Sequence, residues 1–224
     1  MAEQAVRPSS DRSGAQPSSR WRTVDIVVTA VLGVAFGIVF WAWGLLWAGL
    51  DAAFTAFPPA QAVMYGVWLL PAVLAPLIVR KPGAALFAEL IAAIVSALLG
   101  SAWGTLVLVY GLLQGLAGEA GFAAFRYRRF GWPQALLAAA CAGAMAAVLD
   151  LVNYYPDWSG SWKVTYLVLV VLSTAVVAGV GGMALTRARP DPNDDSAPLA
   201  PSARASASPP RPATTAVLTT TSAR

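Results

Sequence analysis

The side chains best suited to bind a ligand are polar groups that stand inside long apolar stretches of the sequence. Asp150 and Asn153 are three residues apart and Tyr154 follows directly, so a helix would carry all three on one face. Tyr110 and Gln114, four residues apart, form a second polar and aromatic pair. Ionisable and amide groups are costly in apolar surroundings and usually face a cavity or a partner. These spacings therefore predict either hydrogen bonds between helices or a pocket for a polar ligand.

Aromatic side chains also repeat at helical spacing in the first half of the chain. Trp43 and Trp47 are four residues apart and share one helix face, whereas Trp41 points nearly opposite. Tyr65 and Trp68 form a second pair, three residues apart. Such rings either anchor a helix at a membrane surface or line a pocket for a flat or cationic ligand. A single turn of helix can serve both roles.

The elements that position these residues are predicted from composition. Of the 224 residues, 58% are hydrophobic and 12% are charged, which is typical of a membrane protein. Because a spanning helix needs about 20 mostly apolar residues, we expect an all-α, six-helix transmembrane bundle over residues 23–188. The segments 1–22 and 189–224 are rich in Ser, Pro and Ala and are predicted to be disordered. The predicted spans are 24–47, 62–79, 84–99, 103–125, 134–152 and 164–186.

The distribution of positive charge predicts the orientation of the bundle. Cytoplasmic loops near a membrane retain Lys and Arg, and 14 of the 15 such residues fall at the chain ends or between spans two and three or four and five. Only Lys163 falls on the other side. We therefore expect a multi-pass protein of the cell membrane with both termini in the cytoplasm. Topology, rather than nucleic-acid binding, explains the net charge of +4.

The tryptophans are concentrated on the predicted outer side. An aromatic belt would populate both membrane surfaces, yet seven of the nine tryptophans fall in the outer half or the outer loops. This asymmetry favours an outward-facing ligand pocket. The seven are Trp41, Trp43, Trp47, Trp68, Trp103, Trp158 and Trp162. The candidate pocket residues are Trp43, Trp47, Tyr65, Trp68, Glu89, Trp103, Tyr110, Gln114, Asp150, Asn153 and Tyr154.

Two carboxylates, Glu89 and Glu119, lie inside the predicted spans near their basic ends, about 8 to 10 Å deep at 1.5 Å per residue. Each either pairs with Arg80, Lys81 or Arg126, or contacts an amino group or cation of a ligand. We favour the pocket for Glu89 and a structural role for Glu119.

Several kinds of chemistry are disfavoured. The chain has no histidine and one cysteine, Cys141, so we expect no zinc site and no histidine-based catalysis. The sequence has no GxxxxGK[ST] motif, so ATP hydrolysis would have to come from another protein. We expect no cofactor, no metal site and no catalytic residue. The alternatives are an intramembrane enzyme with Asp150, Glu89 or Glu119 as acid or base, and a structural membrane protein without a ligand.

Small residues recur every four positions in the first span, at Thr29, Gly33 and Gly37. Such a stripe allows another helix to approach closely. The partner helix is either in this bundle or in another protein.

Three stretches of the sequence resemble the YkoE family, the substrate-binding S components of energy-coupling-factor (ECF) transporters. This family is associated with thiamine or its hydroxymethylpyrimidine precursor. The resemblance covers residues 24–186. The stretches are YGVWLLPAVLAPLIVRKPGAALFAELIAAI from Tyr65, SAWGTLVLVYGLLQGLAGEAGFAAFRYRRF from Ser101, and LDLVNYY from Leu149.

The resemblance implies a six-helix fold that captures a vitamin at its outer face. It also implies partners, a transmembrane coupling protein and two ATPase domains, with the stripe at Thr29, Gly33 and Gly37 as the surface that contacts the coupling protein. The predicted pocket suits this ligand class, because flat rings stack on Trp and Tyr and a thiazolium is attracted to their faces. An aminopyrimidine would add a hydrogen bond to a carboxylate or amide. We therefore expect a transport component that binds thiamine or hydroxymethylpyrimidine.

Overall fold

The computed structural model describes residues 20–187, and this part of the chain contains helices and turns but no strand. The α-helices are α1 (Thr23–Leu50), α2 (Leu70–Val79), α3 (Ala84–Leu98), α4 (Leu106–Ala123), α5 (Trp132–Asn153), α6 (Gly160–Thr174) and α7 (Gly181–Arg187). Three less common segments lie between them: a 3₁₀ turn (Asp51–Phe54), a long 3₁₀ segment (Pro58–Leu69) and a π segment (Ala175–Val180). The 3₁₀ segment continues directly into α2, and the π segment joins α6 to α7.

Six continuous helical rods correspond to the six predicted spans. Five are long and apolar enough to cross a membrane, and the sixth, α3, is apolar but has only 15 residues. The prediction of an all-α, six-helix membrane bundle is confirmed. The five longer rods are Thr23–Phe54, Pro58–Val79, Leu106–Ala123, Trp132–Asn153 and Gly160–Arg187.

The two predicted tails fall largely outside the described residues. Of the segment 1–22, only residues 20–22 are described, and the segment 189–224 lies wholly outside. Trp21 makes specific contacts: its indole N–H donates to the carbonyl oxygen of Pro82 at 3.0 Å, and its ring meets Phe87 edge-on. The start of α1 is thus tied to the connection between α2 and α3.

The stripe of small residues on α1 faces inward, onto α3. Thr29, Gly33 and Gly37 are all buried. A Cβ atom added at Gly33 would lie 2.6 Å from the Cβ of Ile91, and one at Gly37 would lie 2.5 Å from the Cβ of Val95. No room is left on this face for a helix of another protein. The predicted partner interface is therefore corrected: these residues pack α1 against α3 within the bundle, where the missing side chains permit close approach.

The second rod changes direction sharply at its end. It begins with Pro58, whose fixed φ and missing N–H suit the first position of a helix. It ends at Arg80, which takes a left-handed conformation with φ of 55° and donates its N–H to the carbonyl oxygen of Pro76 at 2.9 Å. This turn returns the chain into α3, so that α2 and α3 pack side by side.

The bundle has small residues at its centre and apolar side chains on its outside. Alanines on the inner face of α5 are fully buried and allow neighbouring helices to approach closely. Large apolar side chains such as Val31, Val152 and Val176 are exposed, as expected for a surface that faces lipid. Buried polar side chains, among them Glu89, Gln114 and Asp150, are therefore held inside the protein.

Candidate ligand-binding site

A cavity of about 240 Å³ lies among α1, the 3₁₀ segment, α3, α4 and the end of α5. Trp103 and Tyr155 line the cavity from the connections that follow α3 and α5, and we call this end of the cavity its mouth. Glu89 and Gln114 lie in the middle of α3 and α4, more than two helical turns further in, or about 12 to 15 Å at 1.5 Å per residue. The cavity therefore runs from one end of the bundle towards its centre, with polar groups at its floor.

Four aromatic rings form one wall of the cavity. Trp68 is the central ring: its centroid lies 5.1 Å from that of Trp47, 5.4 Å from that of Tyr65 and 5.4 Å from that of Trp103. The rings of Tyr65 and Trp103 stand nearly edge-on to Trp68, which is a favourable arrangement for aromatic pairs. Trp103 in turn packs over Gly44, where an added Cβ atom would lie 2.9 Å from the indole ring. The wall offers flat surfaces on which a ring could stack.

Asp150 is buried beside the cavity and is held by two phenol groups. The hydroxyl of Tyr110 on α4 donates to Oδ1 at 2.8 Å, and the hydroxyl of Tyr166 on α6 donates to Oδ2 at 2.5 Å. Asp150 is only 6% exposed. Among the described side chains that line the cavity, none is Lys or Arg, so neutral hydroxyls alone compensate this carboxylate. Its arrangement joins α4, α5 and α6 around the site.

Glu89 is the second carboxylate of the cavity and is fully buried. Its Oε1 accepts a hydrogen bond of 3.1 Å from the backbone N–H of Ala72, in the first turn of α2, where helices have unpaired N–H groups. Its Oε2 has no hydrogen-bond partner in the part of the chain that the structure describes. A buried polar atom without a partner is rare in folded proteins, and this one belongs to a residue that lines the cavity.

Glu119 is buried as well, but both of its oxygens are paired. The backbone N–H of Ala85 donates to Oε1 at 2.6 Å, and the hydroxyl of Tyr127 donates to Oε2 at 2.7 Å. Burial, and then its hydrogen bond to Glu119 and the charge of that residue, raise the pKa of Tyr127, so the phenol remains a donor at neutral pH. Glu119 thus ties α3 and the loop after α4 together, which is a structural arrangement.

A second group of aromatic rings surrounds Tyr155, which lines the cavity at its mouth. Tyr155 and Trp158 stack with centroids 4.0 Å apart, and both rings also contact Tyr166. Burial, followed by the charge of Asp150, raises the pKa of Tyr155 to about 12. Its phenol is therefore neutral at physiological pH, and no ionised tyrosine adds negative charge at the mouth.

Most of the predicted site residues come together around the cavity, and two do not. Trp43 instead donates its indole N–H to the carbonyl oxygen of Met64 at 3.0 Å, and Asn153 is exposed, with its amide bonded to the carbonyl oxygen of Leu149. The predicted residues that line the cavity are Trp47, Tyr65, Trp68, Glu89, Trp103, Tyr110, Gln114, Asp150 and Tyr154.

The sequence analysis missed two tyrosines of the site. Tyr155 lines the cavity, and Tyr166 donates to Asp150. Tyr166 could have been found, because it is a tyrosine within a mostly apolar span and such a hydroxyl needs a partner. Tyr155 lies in a polar connection, where the sequence alone does not separate an exposed ring from one that turns inward.

The helical rods define a multi-pass membrane protein, and comparisons with known proteins identify its class. Residues 24–145 match the family described as the permease component of ABC-type cobalt transport systems. A protein of Bacillus subtilis (strain 168), named as the HMP/thiamine permease protein YkoE, is 35% identical over 170 residues, which are 74% of this chain and 83% of that protein.

A solved structure supports the same assignment. The crystal structure of an S-component of an ECF transporter is similar with a TM-score of 0.71 and 34% sequence identity, and the similarity covers 75% of this chain and 85% of the other. The chain therefore belongs to the YkoE family of ECF transporter S components. It is a component of a transport system rather than an enzyme.

Proposed function

We propose that this chain captures thiamine or hydroxymethylpyrimidine in the cavity beside Trp68 and Glu89 and presents it for import. The observation that carries the proposal is the unpartnered Oε2 of Glu89, a buried acceptor on a residue that lines an aromatic-walled cavity. An amino group on a flat heteroaromatic ring would satisfy this oxygen while the ring stacks on the wall. The relative named as an HMP/thiamine permease supports this ligand class.

The charge of the cavity favours thiamine over its neutral precursor. Two buried carboxylates, Glu89 and Asp150, border the cavity, and no basic side chain is present among its described lining residues. A cationic ring would gain from both carboxylates and from the faces of Trp47, Tyr65 and Trp68. A neutral pyrimidine would gain only the stacking and the hydrogen bonds.

A cobalt ion fits the site less well, although the matching family description names cobalt transport. The described residues include no group of three or more His, Cys, Asp or Glu side chains that could hold a metal ion. Transition metals are usually bound by several such ligands together. The cavity wall is instead mostly aromatic.

The proposed orientation places the cavity mouth on the outer side of the cell membrane and both termini in the cytoplasm. The distribution of Lys and Arg supports it, because Trp103 and Tyr155 lie in connections on the side with little positive charge. A transmembrane coupling protein and ATPase subunits would complete the transporter on the cytoplasmic side. Their contact surface is not the buried stripe on α1.

The test is to identify what the purified protein carries. The full chain is purified in detergent from cells grown with thiamine, then denatured, and the released small molecules and metals are measured by mass spectrometry. We expect thiamine or hydroxymethylpyrimidine in an amount close to one per chain. Release of cobalt in that ratio would contradict the proposal. So would protein that releases neither vitamin and also binds neither one when it is added to the purified chain.

A further inference from the structure

The second rod begins with an unusually long 3₁₀ segment, and this segment carries two rings of the cavity wall, Tyr65 and Trp68. It has 12 residues, whereas runs longer than about 3 to 4 residues are uncommon because 3₁₀ hydrogen bonds have poorer geometry. Tyr65 and Trp68 are three residues apart on it. With 3.0 residues per turn, side chains at i and i+3 lie directly above one another, and these two rings are 5.4 Å apart. In an α-helix they would diverge by about 60°.

Ser173, near the end of α6, makes the contact that favours this geometry. The backbone N–H of Gly66 donates to its Oγ at 3.0 Å, and the Oγ–H donates to the carbonyl oxygen of Val63 at 2.7 Å. A 3₁₀ hydrogen bond joins an N–H to the carbonyl oxygen three residues earlier, so the N–H of Gly66 and the carbonyl of Val63 are one such pair. In an α-helix each would have a partner four residues away. A single hydroxyl from another helix therefore bridges one 3₁₀ turn.

The local packing brings Ser173 close enough to do this. A Cβ atom added at Gly66 would lie 2.5 Å from the carbonyl oxygen of Ser173 and 2.5 Å from the Cβ of Val177. Gly66 therefore permits direct approach of the two backbones. The π segment begins two residues after Ser173, so α6 departs from regular geometry where it meets the 3₁₀ segment. Ser173 itself is not among the described residues that line the cavity.

We propose that Ser173 is a positioning residue: its hydroxyl holds the 3₁₀ turn at Val63–Gly66 and thereby sets Tyr65 and Trp68 one above the other in the cavity wall. Its effect on ligand affinity rests on the function proposed above. Its effect on the two rings does not, because they are arranged in the protein without ligand.

Ser173→Ala removes the bridge and leaves the cavity residues unchanged. We expect an altered near-ultraviolet circular dichroism spectrum of the ligand-free protein, because the coupled rings of Trp68, Tyr65 and Trp47 change their relative angles. We also expect thiamine to bind about tenfold more weakly, the scale of two interhelical hydrogen bonds in a membrane. Ser173→Thr keeps the hydroxyl and should restore both properties.

The neighbouring residue supplies a matched control. Thr174 also donates from the end of α6 to another helix, at 3.1 Å to the carbonyl oxygen of Ala139 on α5, and its described hydrogen bonds go to Ala139 and Val171 rather than to the 3₁₀ segment. Thr174→Val removes that bond with little change in shape, and should leave the aromatic spectrum and the affinity close to those of the wild type. Ser173→Cys carries a weaker hydrogen-bonding group, so its spectrum and its affinity for thiamine should lie between those of Ser173→Thr and Ser173→Ala. It replaces Ser173→Ala if that variant folds poorly.

The outcomes separate this inference from the proposed function. If Ser173→Ala, or Ser173→Cys in its place, has the wild-type spectrum, or if Thr174→Val changes it equally, Ser173 does not position the rings. If the spectrum changes in Ser173→Ala but not in Thr174→Val, and is restored in Ser173→Thr, the inference is supported even when the protein binds no thiamine. The absence of thiamine binding would contradict only the proposed ligand. A changed spectrum with unchanged thiamine affinity would overturn the link from Ser173 to binding.

Discussion

At the scale of single residues, three buried carboxylates differ in what surrounds them. Asp150 is satisfied by the hydroxyls of Tyr110 and Tyr166, and Glu119 is satisfied by a backbone N–H and Tyr127. Glu89 keeps one oxygen without a described partner. Leaving a buried polar group unpaired costs about 1 to 3 kcal/mol, so the ligand proposed above would gain by pairing with this oxygen.

The charge of Glu89 is tested by Glu89→Gln, which keeps the shape and removes the charge. We expect this variant to bind thiamine at least about tenfold more weakly, since hydrogen bonds to charged groups are about twice as strong as neutral ones. Binding of neutral hydroxymethylpyrimidine should fall less. Calorimetry with both ligands measures the difference, and Glu119→Gln, which is expected to alter stability rather than ligand preference, is the control. Equal losses for the two ligands would show that the contact is not ionic.

The tryptophans of α1 divide into a ring that lines the cavity and rings that do not. Trp47→Ala should weaken thiamine binding by about 1 kcal/mol or more, because a stacked ring is lost. Trp41 is a second tryptophan on α1 and points away from the face of Trp47. It is not among the described lining residues. Trp41→Ala should therefore bind with the affinity of the wild type. An equal loss of thiamine affinity in both variants would indicate that these rings act generally at the membrane surface and not as ligand contacts.

At the scale of elements, hydrophobic length predicted the six rods well, but not how they face one another. The predicted span 84–99 and the observed α3, Ala84–Leu98, differ by one residue, because a run of apolar residues between turns has few other outcomes in a membrane. The small-residue stripe on α1 has the same sequence signature whether it meets α3 or another protein. Spacing likewise placed Trp43 and Trp47 on one face, and only neighbouring helices decide which of them reaches the cavity.

The geometry of the 3₁₀ segment could not be predicted from the sequence. Its residues Pro58–Leu69 carry no pattern that separates 3₁₀ from α, since the geometry depends on contacts from α1 and α6. The candidate site could therefore be predicted as a set of residue types, and nine of its eleven predicted residues line the cavity. The arrangement of their side chains could not.

The packing of α1 on α3 is tested by adding one methyl group. Gly37→Ala places a Cβ atom 2.5 Å from the Cβ of Val95 and 2.8 Å from the carbonyl oxygen of Ala92. Overpacking of this kind should lower the free energy of unfolding by about 1 to 3 kcal/mol. Gly49 lies on the same helix with nothing within 4 Å of an added Cβ atom, so Gly49→Ala should be neutral or slightly stabilising. Thermal unfolding in detergent compares them, and equal stability of the two variants would argue against this packing.

At the scale of the whole molecule, uptake through this cavity requires that the cavity open to the outside of the cell. The exposed arginines Arg80, Arg128 and Arg187 lie at the end of the bundle opposite the cavity mouth. Positive charge on that side predicts a cytoplasmic position. A vitamin would then enter between the connections after α1, α3 and α5.

This orientation is tested by labelling single cysteines on intact cells. The native Cys141, half-buried in α5, is first replaced by alanine. A cysteine at Ser159, exposed in the connection after α5, should react with a membrane-impermeant maleimide. A cysteine at Arg128, exposed in the connection after α4, should react only after the membrane is permeabilised. The reverse pattern would mean that the cavity faces the cytoplasm.

Titration of thiamine into ligand-free protein, measured by calorimetry, shows whether this cavity binds the vitamin. We expect one saturable site per chain with a dissociation constant of about 1 μM or tighter, corresponding to at least about 8 kcal/mol of binding free energy. Glu89→Gln and Trp47→Ala should weaken this same binding event. Absence of saturable binding, or wild-type affinity in both variants, would mean that the cavity is not the vitamin site.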